Sequence, residues 1–226
     1  MRIRDIWKRV IVESGQFLID PDLIELDVDK FRYLIKSVLG VYNKYVPLDD
    51  HFNIEVSSGY YHEFDDSFTV NGTQYGIPSF IIGATPIRLL GVLPYHLRES
   101  LGRNYTSDIV KENFPIRFEN KRLYVPVGGV YEVHAAWYRK LIESTNSSGE
   151  TEWEVNILED DDDLFFDLAR AKFQQILGRQ RRAFTLEGMP LALDASEMIS
   201  DGESLEEKTM ENLDNEDHKF YLGWGG

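Results

Sequence analysis

The chain contains no cysteine among its 226 residues. This absence excludes disulfide bonds, catalytic thiols, iron–sulfur clusters and thiolate zinc sites. Long apolar runs are also missing, and none approaches the roughly 18 residues that indicate a membrane-spanning helix. The charged start, Met1–Trp7, lacks the apolar run of a secretory signal peptide. We therefore expect no membrane partner and no targeting segment.

Positive charge is scarce, because 24 lysines and arginines stand against 39 aspartates and glutamates, for a net charge of −15. Sequence-independent binding of nucleic acid requires basic side chains that neutralise phosphates, so this balance opposes it. A net negative charge also favours solubility and repels DNA that passes nearby. We expect no direct, sequence-specific contact with nucleic acid.

Familiar catalytic and ligand-binding motifs are absent as well. The five histidines are scattered, and the sequence has no phosphate loop and no Gly-x-Ser-x-Gly elbow. The acidic run Asp160–Asp163 lacks the spacing and the glycine of a calcium loop. Because an apolar periodic segment follows it, a helix N-terminus is favoured over a metal site. We predict no catalytic residue, no metal and no cofactor, and a protein that is not an enzyme.

Helices are indicated near the beginning of the chain. A helix is predicted from Val28 to Tyr45, and a shorter one from Ile6 to about Gly15. The longer helix carries an apolar stripe at helical spacing, formed by Phe31, Leu34, Ile35, Val38, Leu39 and Tyr42.

Helical patterning returns in the last third. A helix that begins near Leu164 is expected to end at Gly178, taken as its C-terminal glycine. Asp194 and Ser204 each stand three residues before a glutamate, and this capping-box spacing predicts two further helix starts.

The middle of the chain is typical of β structure. Hairpins are predicted at residues 68–75, around the Asn71-Gly72 turn, at 116–125, and between 130–141 and 151–157. A short helix is predicted at residues 88–101. Several prolines argue against a doubly wound parallel sheet, because proline cannot donate a ladder hydrogen bond.

These elements predict an α+β fold with N- and C-terminal helices packed around a central, mainly antiparallel β region. We divide the chain into an N-terminal helical segment (1–50), a central β-rich domain (51–158), a C-terminal helical segment (159–215) and an aromatic, glycine-rich tail (216–226).

One basic cluster stands out, formed by Arg179, Arg181 and Arg182. Three interpretations are open. Cations at a helix C-terminus complement its dipole. Arginine forks also suit carboxylates, either of the chain's own acidic tail or of a neighbouring subunit. Phosphate binding is disfavoured, since three arginines without an extended basic face make a poor nucleic-acid footprint.

The end of the chain is strongly acidic. Residues 194–226 contain ten acidic and two basic side chains, and the last eight residues are aromatic and glycine-rich. A solvated helix face explains the charge. Alternatively, the tail docks on a basic surface, with Phe220, Tyr221 and Trp224 as aromatic anchors. Together with the arginine cluster, these three residues are our predicted subunit contacts.

The stretch Leu177–Phe184, followed by Met189–Ala195 and an acidic helix, resembles a C-terminal pattern in small virion structural proteins of tailed bacteriophages. The opening is similar to the same group, through its Ile6-Trp7 helix and a second helix that leads into Tyr45-Val46-Pro47. The resemblance covers the two ends of the chain and leaves the middle strands without one.

The resemblance implies a non-enzymatic structural subunit that forms a ring in the neck, the head–tail connector, through contacts between subunits. A baseplate or tail subunit is the alternative. Implied partners are copies of itself and neighbouring portal, connector, tail or baseplate proteins. The implied location is the virion, after synthesis in the host cytoplasm. Without the resemblance, a competing class is a soluble enzyme or small-ligand-binding protein with a pocket in the β region.

Overall fold

Helices lie toward both ends of the chain and strands fill its middle. The computed structural model describes residues 1–15, 28–57, 59–90, 115–145, 149, 151–157, 162–183 and 191–215. The helices are α1 (Ile3–Glu13), α2 (Val28–Tyr42), α3 (Asp163–Ala183) and α4 (Leu191–Asn215). The strands are β1 (Leu48–Val56), β2 (Tyr61–Glu63), β3 (Thr69–Val70), β4 (Thr73–Gln74), β5 (Phe80–Leu89), β6 (Arg117–Glu119), β7 (Arg122–Tyr124), β8 (Gly129–Trp137), β9 (Leu141–Thr145) and β10 (Thr151–Val155). The predicted α+β class is confirmed.

The chain divides into two compact units, one of which is built from both of its ends. The helical unit joins Met1–Val46 to Arg139–Gly226, and the strand unit is Pro47–Tyr138. The β9–β10 hairpin belongs to the helical unit, although the sequence-based division placed it in the central β region. Its side chains Leu141, Trp153 and Val155 pack with the helices, which explains this membership.

The helical unit has an aromatic core. All six residues of the apolar stripe predicted for α2 are buried there. Trp7 of α1 makes edge contacts with Phe31 of α2, at 4.7 Å between ring centroids, and with Phe173 of α3, at 5.4 Å. Edge-to-face geometry is favoured because the positive ring edge meets the negative ring face. The N-terminal helices therefore share one core with α3.

Helices α3 and α4 pack closely through glycine. A Cβ atom added to Gly178 would lie 2.7 Å from Cγ1 of Ile199 and 2.8 Å from the carbonyl oxygen of Ala195. A Cβ atom added to Gly202 would lie 2.8 Å from the carbonyl oxygen of Ala171. The prediction that Gly178 ends the helix is wrong, because α3 continues to Ala183. The glycine serves close helix–helix approach instead of termination.

The predicted helix starts at Asp194 and Ser204 are also wrong, since α4 is continuous from Leu191 to Asn215. Its buried positions include Ala195 and Thr209, which lie seven residues on either side of Gly202. Seven residues correspond to about two helical turns, so these small side chains share one face. Continuous packing along α3 outweighs the local capping preference.

The described residues of the strand unit form three antiparallel sheets. Their strand orders are β1-β8-β5, β2-β7-β6 and β3-β4. Central strand β8 buries Tyr131, Val133, Ala135 and Trp137 at alternate positions. Pro86 lies on the edge strand β5, beside a register shift, where its missing donor is tolerated.

Two predicted hairpins are confirmed by their turns. Asn71 and Gly72 have φ angles of 52° and 85°, and Asn120 and Lys121 have 52° and 65°. Two consecutive positive φ angles define the type I′ turn that fits the twist of a two-residue hairpin.

The other β-region predictions need correction. Strand β8 pairs with β1 and β5, whereas residues 151–155 pair with 141–145, so the third hairpin is shorter than expected. Arg88 and Leu89 belong to β5 and not to a helix; residues 91–101 of that predicted helix lie outside the described residues.

Gly178→Ala is expected to destabilise the protein by about 1–3 kcal/mol, because the added methyl group overpacks the α3–α4 contact. Gly40→Ala is the matched control. Gly40 lies in α2 with no atom within 4 Å of an added Cβ, so alanine should stabilise by about 0.5–1 kcal/mol. Urea unfolding measures both changes, and equal effects of the two substitutions would contradict the close-packing interpretation.

Candidate contact surfaces

A buried arginine marks the point where the chain re-enters the helical unit. The Arg139 side chain is 7% exposed, and its Nη2 lies 3.3 Å from Oδ1 of Asp162, which is 5% exposed. Its Nε donates to the carbonyl oxygen of Asn156 at 3.1 Å, and its Nη1 donates to that of Val46. A buried charge pair requires such additional partners, because both ions have lost their hydration.

The same network fixes the ends of two helices. Tyr42, the last residue of α2, donates its hydroxyl proton to Asp162 Oδ1 at 2.7 Å. Asn43 pairs with the Arg139 backbone in both directions, at 3.0 and 2.9 Å. The carbonyl oxygen of Asp162 accepts a hydrogen bond from the backbone N–H of Phe165 in the first turn of α3.

The end of the acidic run thus lies at a helix N-terminus, the interpretation that the sequence favoured. Asp163 begins α3 and pairs with Nη2 of Arg9 at 2.9 Å. Asp160 and Asp161 lie outside the described residues.

A groove of about 560 Å³ opens beside this network. We call it the α2 groove; it is lined by Arg32, Tyr33, Lys36, Leu39, Gly40, Asn43, Arg139, Lys140, Leu141 and Trp153. Every charged residue in this lining is basic, although the whole chain has a net charge of −15. The groove is therefore a local cationic site on an acidic protein.

Aromatic rings form part of its wall. The guanidinium carbon of Arg32 lies 4.7 Å from the ring centroid of Trp153 and 5.2 Å from that of Tyr33. These distances are within the range of cation–π attraction. Tyr33 is 66% exposed, so its ring offers apolar area to a ligand. The arrangement suits an extended segment that carries both carboxylates and aromatic side chains.

Sequence reasoning missed this groove. Arg32 and Lys36 could have been noticed, because they lie four residues apart beside the apolar stripe of α2. Lys140 and Trp153 come from remote parts of the chain. No local pattern brings them to α2, so only the tertiary structure reveals the site.

A second surface lies on the strand unit, on one face of the β2-β7-β6 sheet. One cross-strand row aligns Arg117, Tyr124 and Tyr61, and the next aligns Glu119, Arg122 and Glu63. Arg117 lies over the Tyr124 ring at 4.7 Å, and Arg122 lies over the Tyr61 ring at 4.8 Å. Tyrosine and arginine are enriched at protein–protein contacts, so this Tyr/Arg face is a candidate contact surface.

The predicted arginine cluster lies in the C-terminal part of α3. Arg179 and Arg182 are exposed, and Nη1 of Arg181 contacts Sδ of Met198 on α4 at 3.2 Å. The position of Arg181 and Arg182 in the last turn agrees with the helix-dipole interpretation. Phe220, Tyr221 and Trp224, the predicted aromatic anchors, lie outside the described residues.

Arg179 also acts on the acidic helix α4, through Glu206. Burial of this carboxyl group disfavours its charged form. Hydrogen bonds from Lys172 and Gln175, with the charges of Lys172 and Arg179, outweigh burial and place the pKa of Glu206 below its ordinary value. Some pairing between the basic and acidic segments therefore occurs within one chain.

Two of the scattered histidines meet in the strand unit. The β1–β8 register stacks His51 on His134 at 4.0 Å, and Nε2 of His134 lies 2.7 Å from Oδ2 of Asp49. Within the described ranges, no group of three or more histidine or acidic side chains is placed to hold a metal ion.

No known family model matches the chain, and the search of curated proteins found no match either. Among the helices of the described residues, none has the length and apolar character needed to cross a membrane.

Glu206 is expected to make stability depend on pH. A carboxyl group whose pKa is lower in the folded state stabilises the fold at pH values above its ordinary pKa. This stabilisation is lost as the pH falls through the folded-state pKa. The stability difference between the unaltered protein and Glu206→Gln should therefore shrink as the pH is lowered from 7 to below 4.5, the ordinary value. The exposed neighbour Glu207→Gln is the control, and urea unfolding at each pH is the measurement. A difference for Glu206→Gln that stays constant with pH would count against this assignment.

Arg139→Met is expected to destabilise the protein by about 3–5 kcal/mol, because Asp162 is left buried without its cation. Lys140→Met removes the adjacent, exposed charge and should change stability by less than about 0.5 kcal/mol. Thermal and urea unfolding distinguish the two variants. A small effect of Arg139→Met would show that the buried pair does not stabilise this unit.

Proposed function

We propose that this protein is a non-enzymatic structural subunit of a tailed-phage virion and forms a ring in the neck through contacts between subunits. The arginine cluster and the aromatic tail contribute to those contacts, together with the α2 groove and the Tyr/Arg face. Neighbouring connector or tail proteins are the further partners. The protein is made in the host cytoplasm and ends in the virion.

The observation that carries the proposal is that the two resembling ends of the chain form one unit. Leu177 of the C-terminal stretch lies in the same hydrophobic core as Ile6 and Trp7 of the opening. The two stretches of sequence that resemble one class of protein are far apart in the chain, but both belong to the core of the helical unit. This common core supports a shared origin of the two likenesses.

The exposed surfaces also support a contact-making role. The Tyr/Arg face presents two aromatic rings and two guanidinium groups, and the α2 groove presents aromatic and cationic side chains. Different surfaces on one subunit can pair head to tail, and such heterologous contacts close into a ring when the rotation permits.

The proposal predicts a closed oligomer of one stoichiometry for the purified full chain, measured by native mass spectrometry. The mass of the oligomer should stay constant over a wide range of concentration, because a closed ring has no free end to extend. Peptides of the chain should also be recovered from purified mature particles. Labelled antibodies should bind at the neck; binding at the distal end of the tail would favour a baseplate role. A monomer in solution that is absent from particles would refute the proposal.

Arg182→Glu tests the arginine cluster within the same experiment. Its side chain is exposed, so reversal of its charge should weaken the oligomer without unfolding the monomer, as circular dichroism can verify. Lys30→Glu, at an exposed position of α2, makes the same charge change elsewhere and serves as the control. Equal oligomer stability in the two variants would remove the arginine cluster from the interface.

A further inference from the structure

We infer that the α2 groove is the docking site for residues 216–226 of a neighbouring copy of this chain. The inference rests on the proposed ring and names the partner of one of its contact surfaces.

The groove offers two kinds of contact. Lys36 and Lys140 are exposed cations, and neither forms an ion pair with another described residue. Apolar area comes from Tyr33, Leu141 and Trp153. Arg139 is already neutralised by Asp162 and contributes little net charge to a ligand. A suitable ligand therefore has a few carboxylates and several apolar rings.

The tail contains both kinds of side chain. Glu216 and Asp217 come first, followed by Phe220, Tyr221 and Trp224. Aromatic side chains bury large areas with few rotatable bonds, which makes them effective anchors in a pocket. Glycines at 223, 225 and 226 place few steric demands on an extended path.

Nucleic acid fits this groove less well. A polyanion would be repelled by the net charge of −15, and two exposed lysines beside one neutralised arginine do not form an extended basic track. The apolar lining favours an acidic, aromatic peptide over a phosphate backbone.

Helix α4 ends on the side of the helical unit that carries the buried arginine. Glu206 of α4 contacts Lys172 and Gln175 of α3, and Gly178 meets Ala195 and Ile199. This antiparallel pairing directs the end of α4 toward the start of α3, where Asp162 lies. The eleven residues that follow α4 span at most about 40 Å when extended. A tail on one subunit and a groove on the next make the heterologous contact that a ring requires.

The absence of cysteine allows a direct test by cross-linking. The double variant Gly40→Cys/Gly225→Cys of the full chain places one thiol in the groove and one in the tail, and it leaves Lys36 and Lys140 in place. After mild oxidation, a non-reducing gel should show a ladder of covalent dimers and larger species that a reductant collapses to monomer. Asp201→Cys/Gly225→Cys, with the first thiol at an exposed position of α4, is the matched control and should give no ladder. Adding Trp224→Ala to the first variant should lower the ladder yield about tenfold or more.

Each other outcome overturns the inference in a recognisable way. A fast-migrating monomer with an internal cross-link would assign the groove to the tail of the same chain. An intact oligomer of the unaltered protein, without a ladder in the double variant, would reject the groove as the docking site and leave the ring standing. A monomeric unaltered protein would reject the ring and the docking together. Binding of a single-stranded oligonucleotide that Lys36→Glu abolishes would assign the groove to nucleic acid.

Discussion

The buried pair of Arg139 and Asp162 is the interaction on which the helical unit depends. Arg139 is the first residue after the strand unit, and its guanidinium group reaches the carbonyl oxygen of Val46, the last residue before that unit. Asp162 connects the same group to Tyr42 and precedes α3. A buried ion pair is stable only when the remaining hydrogen-bonding groups of both ions have partners. Here those partners come from residues 42–46 and 156–162, so the pair connects both segments to Arg139.

The pair also determines the electrostatics around it. Because Asp162 neutralises Arg139, the exposed lysines Lys36 and Lys140 contribute positive charge at the surface of the α2 groove. The acidic helix α4 lies elsewhere in the same unit and is tied to α3 through Glu206 and Lys172. The cationic lining of the groove and the acidic helix α4 are therefore separate parts of the helical unit, although Lys172 and Glu206 pair between α3 and α4.

Local sequence patterns predicted the structure correctly where a helix or a turn depends mainly on its own residues. The stripe from Phe31 to Tyr42 predicted the buried face of α2, because a period of 3.6 residues has one geometric explanation. Asn71-Gly72 predicted a hairpin, because both residues tolerate positive φ. Local signals failed at Gly178 and Asp194, where termination and capping were expected. There the packing of two long helices along each other outweighs a preference worth about 1 kcal/mol.

Composition and local period are sufficient to predict the α+β class, the apolar faces, the type I′ turn at Asn71-Gly72 and the uneven distribution of charge. Three features emerge at the level of tertiary packing: both ends of the chain build one unit, β8 pairs with β1 and β5, and Lys36, Lys140 and Trp153 line one groove. These are meetings of residues distant in sequence. These contacts depend on the packing of apolar surfaces and the pairing of buried charges across the whole unit, and a local sequence pattern contains no information about either.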